Sequence, residues 1–289
     1  MSSWFVQRFE ALYEHPYQQG RNRIILATEG EALAGMISYV YWPLNNTEAG
    51  CRSFQMTGLL VSPDFRGQGV FSKLLEAMKE WGVKEKADFM IGFPVPLSKP
   101  TFVKKGWTNS FDLQWFIQPL SLWAALRRKP FSGKGFSTKV PDHIKADSYL
   151  QTAADPEFWQ YREALMPEWT SYWFTYDSGD QKVSIQFRTG IRKGLSEATI
   201  GKIYAGNASA STIKNALKRL FEALRKDGSI VFVSIAVNPQ CHSETLKAVE
   251  KRFIKISKRI HFINICFTGR SEGLQPENWN LMRGDLETW

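Results

Sequence analysis

One passage, residues 57–82, restricts the fold of this chain more than any other: it reads TGLLVSPDFRGQGVFSKLLEAMKEWG. An apolar run ends at Val61, Pro63 interrupts it, and two glycines, Gly67 and Gly69, follow within six residues. Apolar side chains then recur at the i, i+3, i+4, i+7 spacing of an amphipathic helix, at Phe71, Leu74, Leu75 and Met78. The passage therefore predicts a strand, a glycine turn and a helix, in that order.

The glycine turn has the chemistry of an anion-binding site. Gly67 and Gly69 carry no Cβ, so the main-chain N–H groups around them can converge, and the helix start adds about half a positive charge. The turn is not a P-loop because no Gly-Lys-Ser/Thr follows it, and its spacing differs from the dinucleotide-binding fingerprint. We therefore predict that main-chain amides of this turn and the helix start bind a phosphate or pyrophosphate.

The same order of strands and helices occurs twice along the chain. The first series predicts strands at 24–29, 33–41, 54–61, 89–93 and 113–117, with helices at 71–86 and 101–105. The second predicts strands at 182–188, 199–205, 230–237 and 260–267, with helices at 211–228 and 244–255. We expect an α/β fold with a mixed, partly parallel sheet and crossover helices, duplicated as two units. The predicted domains are 1–118 and 142–289, joined by a basic linker at 119–141 that is rich in Gly, Pro, Lys and Arg.

Composition limits the function classes. The chain of 289 residues has a formal net charge of +9, and most of the excess lies after residue 118. Its 3 cysteines include no C-x-x-C pair and its 4 histidines no metal-ligand spacing, so we expect no metal site. No secretory signal and no apolar run of ~18 residues is visible, which predicts a cytoplasmic protein without a transmembrane segment.

The partners follow from the same charge pattern. A basic second half favours a small anionic partner, with contact to a membrane surface as another option. Basic and aromatic residues are not interleaved in a nucleic-acid-binding motif, so we expect no nucleic-acid partner. The sequence predicts no oligomeric state.

The strand–turn–helix residues resemble those of a known family. The pattern of these residues is similar to that of the GNAT acyl-CoA N-acyltransferases. It begins with V-x-P-x-x-R-G-x-G, continues with a helix and a short strand, and ends with an aromatic residue four positions before a Gly-aromatic pair. The matching residues are Val61, Pro63, Arg66, Gly67, Gly69, Phe102, Gly106 and Trp107. The resemblance covers residues 1–118 and extends to 119–289 as a repeated fold. The opening of the chain, a Trp-rich helix, His15-Pro16 and then a hairpin, is similar to two-unit members often associated with surface polysaccharide biosynthesis.

The resemblance implies an acetyl-CoA-dependent N-acetyltransferase that needs no metal. Acetyl-CoA is expected between the strand that ends at Val61 and the strand at 89–93. The main chain of Leu59 and Val61 would pair with the pantetheine arm, and amides of the turn would hold the pyrophosphate. The implied cofactor-binding residues are Leu59, Val61, Arg66, Gly67, Gln68, Gly69, Val70, Phe71 and Ser72. The acceptor is expected to be a small amine that attacks the thioester directly. An amino sugar and a nucleotide-linked amino sugar are the candidates.

Three departures from the family pattern leave the catalytic acid and base open. Phe71 replaces a small residue, Phe102 stands where a proton-donating Tyr is common, and residues 51–63 contain no carboxylate. The remaining candidates are Gln55, Thr57 and Ser98. After residue 205 the second unit has small residues without Arg-Gly-x-Gly, so we expect it to contact the acceptor and not to bind CoA.

Two other functions of the whole chain stay open, and the aromatic-rich segment 158–176 also has two interpretations. The chain could be a non-catalytic acyl-CoA-binding or scaffold protein, or a FemAB-like tRNA-dependent aminoacyl transferase. The aromatic-rich segment 158–176 reads either as packed core or as a stacking platform for a sugar or base.

Overall fold

The computed structural model describes residues 3–45, 51–127, 129–165, 169–269 and 275–287. The chain divides into two compact units, each made of two separate stretches. The first unit comprises Met1–Asp112 and Ile260–Asn278, and the second comprises Leu113–Arg259 and Trp279–Trp289.

The described residues form the following helices and strands. The helices are α1 (Ser3–Phe9), α2 (Val70–Lys84), α3 (Lys99–Lys104), α4 (Leu122–Arg127), α5 (Pro156–Ala164), α6 (Ala210–Asp227) and α7 (Glu244–Glu250). The strands are β1 (Arg23–Glu29), β2 (Ala32–Tyr41), β3 (Leu44–Asn45), β4 (Ser53–Val61), β5 (Phe89–Gly92), β6 (Thr108–Pro119), β7 (Gln151–Thr152), β8 (Ser171–Asp177), β9 (Lys182–Arg192), β10 (Leu195–Tyr204), β11 (Phe232–Val237) and β12 (Ile254–Cys266).

The first unit is a mixed sheet with α2 as its crossover helix. β1, β2 and β4 are antiparallel neighbours, β4 and β5 are parallel, and β5 is antiparallel to the second part of β12. The apolar face of α2, with Leu74, Leu75 and Met78, is buried in one cluster with the sheet residues Ile37 and Met90. The helix lies on this face because its apolar side chains recur with the helical period.

The second unit repeats this arrangement. β8, β9 and β10 are antiparallel neighbours, β10 and β11 are parallel, and β11 is antiparallel to the second part of β6. Helix α6 is the crossover between β10 and β11. Six side chains on one face of α6 are buried, namely Ile213, Ala216, Leu217, Leu220, Phe221 and Leu224. They belong to the core cluster that includes Ile185, Ile200 and Ile235 of the sheet.

The predicted fold class is therefore confirmed, and the repeated element order is present in both units. The contact-based division differs from the predicted boundaries, because β6 and β12 each contribute to both units. The chain enters the second unit after Asp112, inside β6, and residues 260–278 belong to the first unit. The second part of β12 belongs there because Ile263–Cys266 pairs with β5.

Several local predictions differ from the structure. Helix α7 ends at Glu250 and not at residue 255, because the isoleucines at 254 and 256 already belong to a strand. The predicted linker contains α4, on which Leu122, Trp123 and Leu126 are exposed. Segment 158–176 contributes to α5 and β8, and most of its aromatic side chains are packed in the second unit.

Candidate functional site

Strands β4 and β5 of the first unit form a fork. Their parallel pairing extends only from Ser53, opposite Phe89, to Gln55, opposite Ile91. Beyond Gln55, β4 continues to Val61 while β5 ends at Gly92. The part of β4 after Gln55 therefore has a free edge on the side of β5.

Leu59 and Val61 direct their main-chain groups toward this free edge. On the other edge of β4, Leu60 pairs with Met36, and the amide of Ser62 donates to the carbonyl of Ala34 at 2.9 Å. Because main-chain groups alternate in direction along a strand, those of Leu59 and Val61 point away from β2. They are available to pair with an extended ligand.

The turn after β4 presents a row of open amides. Gly67 and Gly69 have φ angles of 77° and 79°, a left-handed conformation that glycine adopts without steric cost. No other atom lies within 4 Å of the Cβ positions that a side chain would occupy at these two glycines. The first amide bonded inside the helix is that of Lys73, which donates to the carbonyl of Gly69 at 3.1 Å.

The amides at 67–72 donate to no acceptor among the residues that the structure describes. Helix α2 adds its positive N-terminal end to the same place. The geometry can therefore accommodate a diphosphate. Of the residues named from the sequence, Arg66, Gly67, Gln68 and Gly69 are exposed in the turn, and Val70, Phe71 and Ser72 form the half-buried first turn of the helix.

The ring of Phe71 is accommodated by the apolar core. It packs edge-on against Phe102, with 5.4 Å between ring centroids, and Phe102 packs in the same way against Trp107 at 5.4 Å. Phe102 is only 1% exposed. Phe102, which stands where a proton-donating tyrosine is common, is thus buried, and its contact with Phe71 holds α3 against the start of α2.

The three catalytic candidates occupy different environments. Gln55 is buried at the branch point of the fork, on the last residue pair between β4 and β5. Thr57 is half-buried, two residues further along β4. Ser98 is half-buried at the start of α3, where its hydroxyl donates to the carbonyl of Val95 at 3.2 Å. The structure therefore brings Gln55 and Thr57 to the fork and gives Ser98 a role in a turn.

Sequence reasoning missed a cluster of hydroxyls around Thr57. Tyr13 Oη donates to Ser38 Oγ at 2.7 Å, and Thr57 Oγ1 lies 3.2 Å from both oxygens. A bulge in the β2–β4 pairing beside Ser38 brings them together, and Gly58 leaves room, because a Cβ there would lie 2.7 Å from Ser38 Oγ. No local sequence pattern signals this cluster, since its members are 25 and 44 residues apart.

In the second unit, the helix start and the gap between the strands that correspond to the open features of the first unit are occupied by the protein itself. Ser209 caps α6 by accepting a hydrogen bond from the amide of Thr212 at 3.2 Å, and a carboxylate oxygen of Glu244 accepts one from the amide of Ala210 at 2.8 Å. Bonds with Glu244 and Ser209 therefore occupy the start of this helix. The Lys247 ammonium and the Ala210 amide lower the pKa of Glu244, which keeps it anionic.

The gap beyond the β10–β11 pairing is also filled. That pairing ends at Ile200, opposite Ile235, and the C-terminal segment 279–287 lies against the strands from there. Met282 bridges to Val237, and the fully buried ammonium of Lys202 lies 2.9 Å from a carboxylate oxygen of Asp285. Gly284 lies directly on Gly201, where a Cβ would come within 2.7 Å of the Gly201 carbonyl oxygen. The protein's own chain occupies the position that is open beside β4.

Two searches of the described residues gave negative results. Within these ranges, no group of three or more His, Cys, Asp or Glu side chains is placed to hold a metal ion. None of the helices described is long and apolar enough to cross a bilayer.

Comparison with known proteins identified one family model and many similar structures. Residues 1–93 match the model of the acetyltransferase (GNAT) family. The chain is similar to a GCN5-related N-acetyltransferase from Anabaena variabilis, with 13% identity, a TM-score of 0.58, and coverage of 83% of this chain and 62% of that one. A GCN5-related N-acetyltransferase from Kribbella flavida gives 13% identity and a TM-score of 0.57, with coverage of 94% and 66%. Eis1 from Mycobacterium abscessus gives 10% identity and a TM-score of 0.59, with coverage of 94% and 72%.

At these identities the structural similarity shows a shared fold. The chain spans less than two thirds of the length of the Anabaena and Kribbella proteins, at 62% and 66%. A search of curated protein sequences gave no match.

Proposed function

Because residues 1–93 match the model of the acetyltransferase (GNAT) family, we propose that this protein is an acetyl-CoA-dependent N-acetyltransferase. It transfers the acyl group to the amine of a small acceptor, such as an amino sugar or a nucleotide-linked amino sugar, by direct attack on the thioester. The observation that carries the proposal is the row of open amides at 67–72 beside the free edge of β4.

The open features of the first unit fit acetyl-CoA. The main chain of Leu59 and Val61 pairs with the extended pantetheine arm as an added strand would. Amides from Gly67 to Ser72 hold the pyrophosphate at the start of α2, and the exposed Arg66 adds a positive charge beside them. Acetyl-CoA, when bound, supplies the acyl group in activated thioester form. The closed helix start and the filled gap of the second unit support a single CoA site per chain.

Residues at the fork are placed to act in the acyl transfer itself. Acyl transfer to an amine needs a group that removes a proton from the amine and a donor for the oxygen that gains negative charge. The hydroxyls of Tyr13, Ser38 and Thr57 form a hydrogen-bonded chain that can orient the amine or a water and pass on a proton. Phe102 and Phe71 present hydrocarbon at the start of α2 and exclude water there.

The direct test measures binding and turnover separately. Isothermal titration calorimetry with acetyl-CoA is expected to show one site per chain, and a panel of amino sugars and small amines is expected to include acceptors that release free CoA. A thiol-reactive dye detects the released CoA, and reactions without acceptor give the background of hydrolysis. Absence of acetyl-CoA binding would contradict the proposal.

A second candidate function is a non-catalytic acyl-CoA-binding protein. The buried Phe102, at the place where a proton-donating tyrosine is common, favours it. This candidate predicts the same calorimetric binding but no CoA release with any amine in the panel. The two functions are therefore distinguished by turnover alone.

A further inference from the structure

A second concave site lies in the second unit, on the opposite face of its sheet from α6. It is a pocket of about 200 Å³ between β9, β10 and the turn at Arg283–Asp285. Its walls include Arg188, Arg192 and Arg283, a single acid, Glu197, and the indoles of Trp115 and Trp169. The volume equals that of roughly seven water molecules at about 30 Å³ each.

The cations are fixed in place by neighbouring groups. Arg188 is 2% exposed, and its Nε donates to Ser171 Oγ at 2.8 Å. The guanidinium of Arg192 lies 4.4 Å from the centre of the Trp115 ring, and the ammonium of Lys258 lies 4.1 Å from it. Both distances are within the range of attraction between a cation and an aromatic face. The pocket is therefore a built site and not an accidental hollow between mobile side chains.

Positive charge in this site exceeds negative charge. Three arginines and one glutamate line the pocket, which leaves two positive charges. The neighbouring charged groups include Arg162 and Lys258 on the positive side and Glu163 and Glu287 on the negative side, so they leave this excess unchanged.

The excess is unfavourable in the protein alone. Burial and the nearby Arg192 lower the pKa of Arg283 to about 10, and burial, Arg192 and Arg283 lower that of Lys258. Arg192 Nε lies 2.7 Å from a carboxylate oxygen of Glu197, and several like charges gathered in a partly buried site cost free energy that a further opposite charge reduces. An anion bound among them would relieve this repulsion.

We propose that this pocket binds a small phosphate monoester whose organic group lies against Trp169. A phosphate monoester carries about −1.5 to −2 charges at neutral pH, which matches the excess, and arginine forks bind its oxygens in pairs. Trp169 is 52% exposed and lies beside the glycine at position 190, so its ring is accessible to the organic group. The proposal does not depend on acyl transfer in the first unit.

The test uses phenyl phosphate and inorganic phosphate as probes, in calorimetry at low salt. All titrations use the Gly69→Asp background, so that phosphate binding at the α2 turn does not contribute. We expect phenyl phosphate to bind with millimolar or better affinity and inorganic phosphate to bind more weakly. No detectable binding of phenyl phosphate would overturn the proposal.

Two variants and one control locate the binding. Arg192→Gln is expected to weaken phenyl phosphate binding tenfold or more, and Trp169→Ala to weaken phenyl phosphate but not inorganic phosphate. Arg219→Gln removes the same charge from the exposed face of α6, where Arg219 pairs with Glu222, and is expected to change neither. Equal losses in Arg192→Gln and Arg219→Gln would overturn the proposal, since they would indicate a general charge effect.

A lipid phosphate is the other source of the same chemistry. We expect that this pocket does not bind vesicles of phosphatidylcholine and phosphatidic acid. Any co-sedimentation of the protein with such vesicles should therefore persist when phenyl phosphate is added. Reversible sedimentation that Arg192→Gln also abolishes would overturn the assignment to a soluble ligand.

Discussion

At residue 69 the absence of a side chain leaves open space beside the main-chain amides of the α2 turn. We expect Gly69→Asp to lower acetyl-CoA affinity more than tenfold, because its carboxylate would stand among the amides that the proposal assigns to the pyrophosphate. Calorimetry measures the affinity, and far-ultraviolet circular dichroism checks the fold.

Gly30→Asp is the matched control for this change. Gly30 also has a positive φ, 58°, and open space around its Cβ position, and it lies in the β1–β2 turn of the same unit. The two substitutions therefore carry similar backbone strain and the same charge. An equal loss of affinity in both variants would place the pyrophosphate elsewhere.

Individual residues differ in how far the sequence reveals them. Gly67 and Gly69 are predictable because a turn and a helix start are encoded by neighbours in the sequence. The partners of Thr57 are not, because Tyr13 and Ser38 reach it only through the hairpin, the bulge and the packing of the N-terminal turns. No local spacing of residues in the sequence contains that information. The assignment of Leu59, Val61 and residues 66–72 to acetyl-CoA stays a prediction.

At the scale of elements, one cluster of charged side chains fixes α3 to two strands of the first unit. Asp112 Oδ1 on β6 lies 2.7 Å from His261 Nδ1 on β12 and 3.2 Å from Lys99 Nζ on α3. Partial burial raises the pKa of Asp112, but the contacts with His261 and Lys99 outweigh this effect, so the net shift is downward. The carboxylate therefore stabilises the fold above the unfolded pKa, and this contribution is lost as the pH falls through the folded pKa.

Asp112→Asn tests this contribution. We expect the free energy of unfolding to fall by about 1–2 kcal/mol at pH 7, and the difference from the wild type to shrink as the pH falls from the ordinary aspartate pKa of about 3.9 through the lower folded pKa. Urea titrations at several pH values measure both. Asp64→Asn, which changes an exposed carboxylate of the same unit, is the control. A deficit that is constant from pH 7 to pH 3 would contradict the assignment.

Element types were easier to predict than the faces that elements bury. The alternating residues of β9 predict a strand, and an alternating pattern ordinarily places its polar side chains in water. In the structure Gln186 and Arg188 are buried. Both side chains donate to Ser171 Oγ on β8, Gln186 Nε2 at 3.3 Å and Arg188 Nε at 2.8 Å, and this contact between strands leaves no periodic signal in either segment.

At the scale of the whole molecule, the chain builds two units that are not consecutive segments. The first unit requires residues 260–278, whose Phe262 stacks on Phe111 at 4.7 Å and whose Ile263 is fully buried. We expect a fragment of residues 1–118 to lack a cooperative unfolding transition and to bind acetyl-CoA much more weakly than the full chain. Circular dichroism during heating and calorimetry measure the two properties.

Co-expression of fragments 1–118 and 119–289 is the control for this experiment. It restores the missing strand without restoring the covalent connection, and we expect it to recover folding and binding. A fragment 1–118 that unfolds cooperatively by itself and binds acetyl-CoA normally would contradict the expectation.

The repeated order of elements made the duplicated fold predictable from sequence. The division of β6 and β12 between the units was not, because each strand reads as a single local segment and its partners are set by the assembled sheets.

This division affects how the protein is synthesised. β5 emerges early from the ribosome, whereas its partner in β12 follows roughly 10–30 s later at about 5–20 residues per second. During that interval the hydrogen-bonding edge of a fully buried strand is exposed to other nascent chains. The edge of β5 is therefore covered only after residues 263–266 have been synthesised.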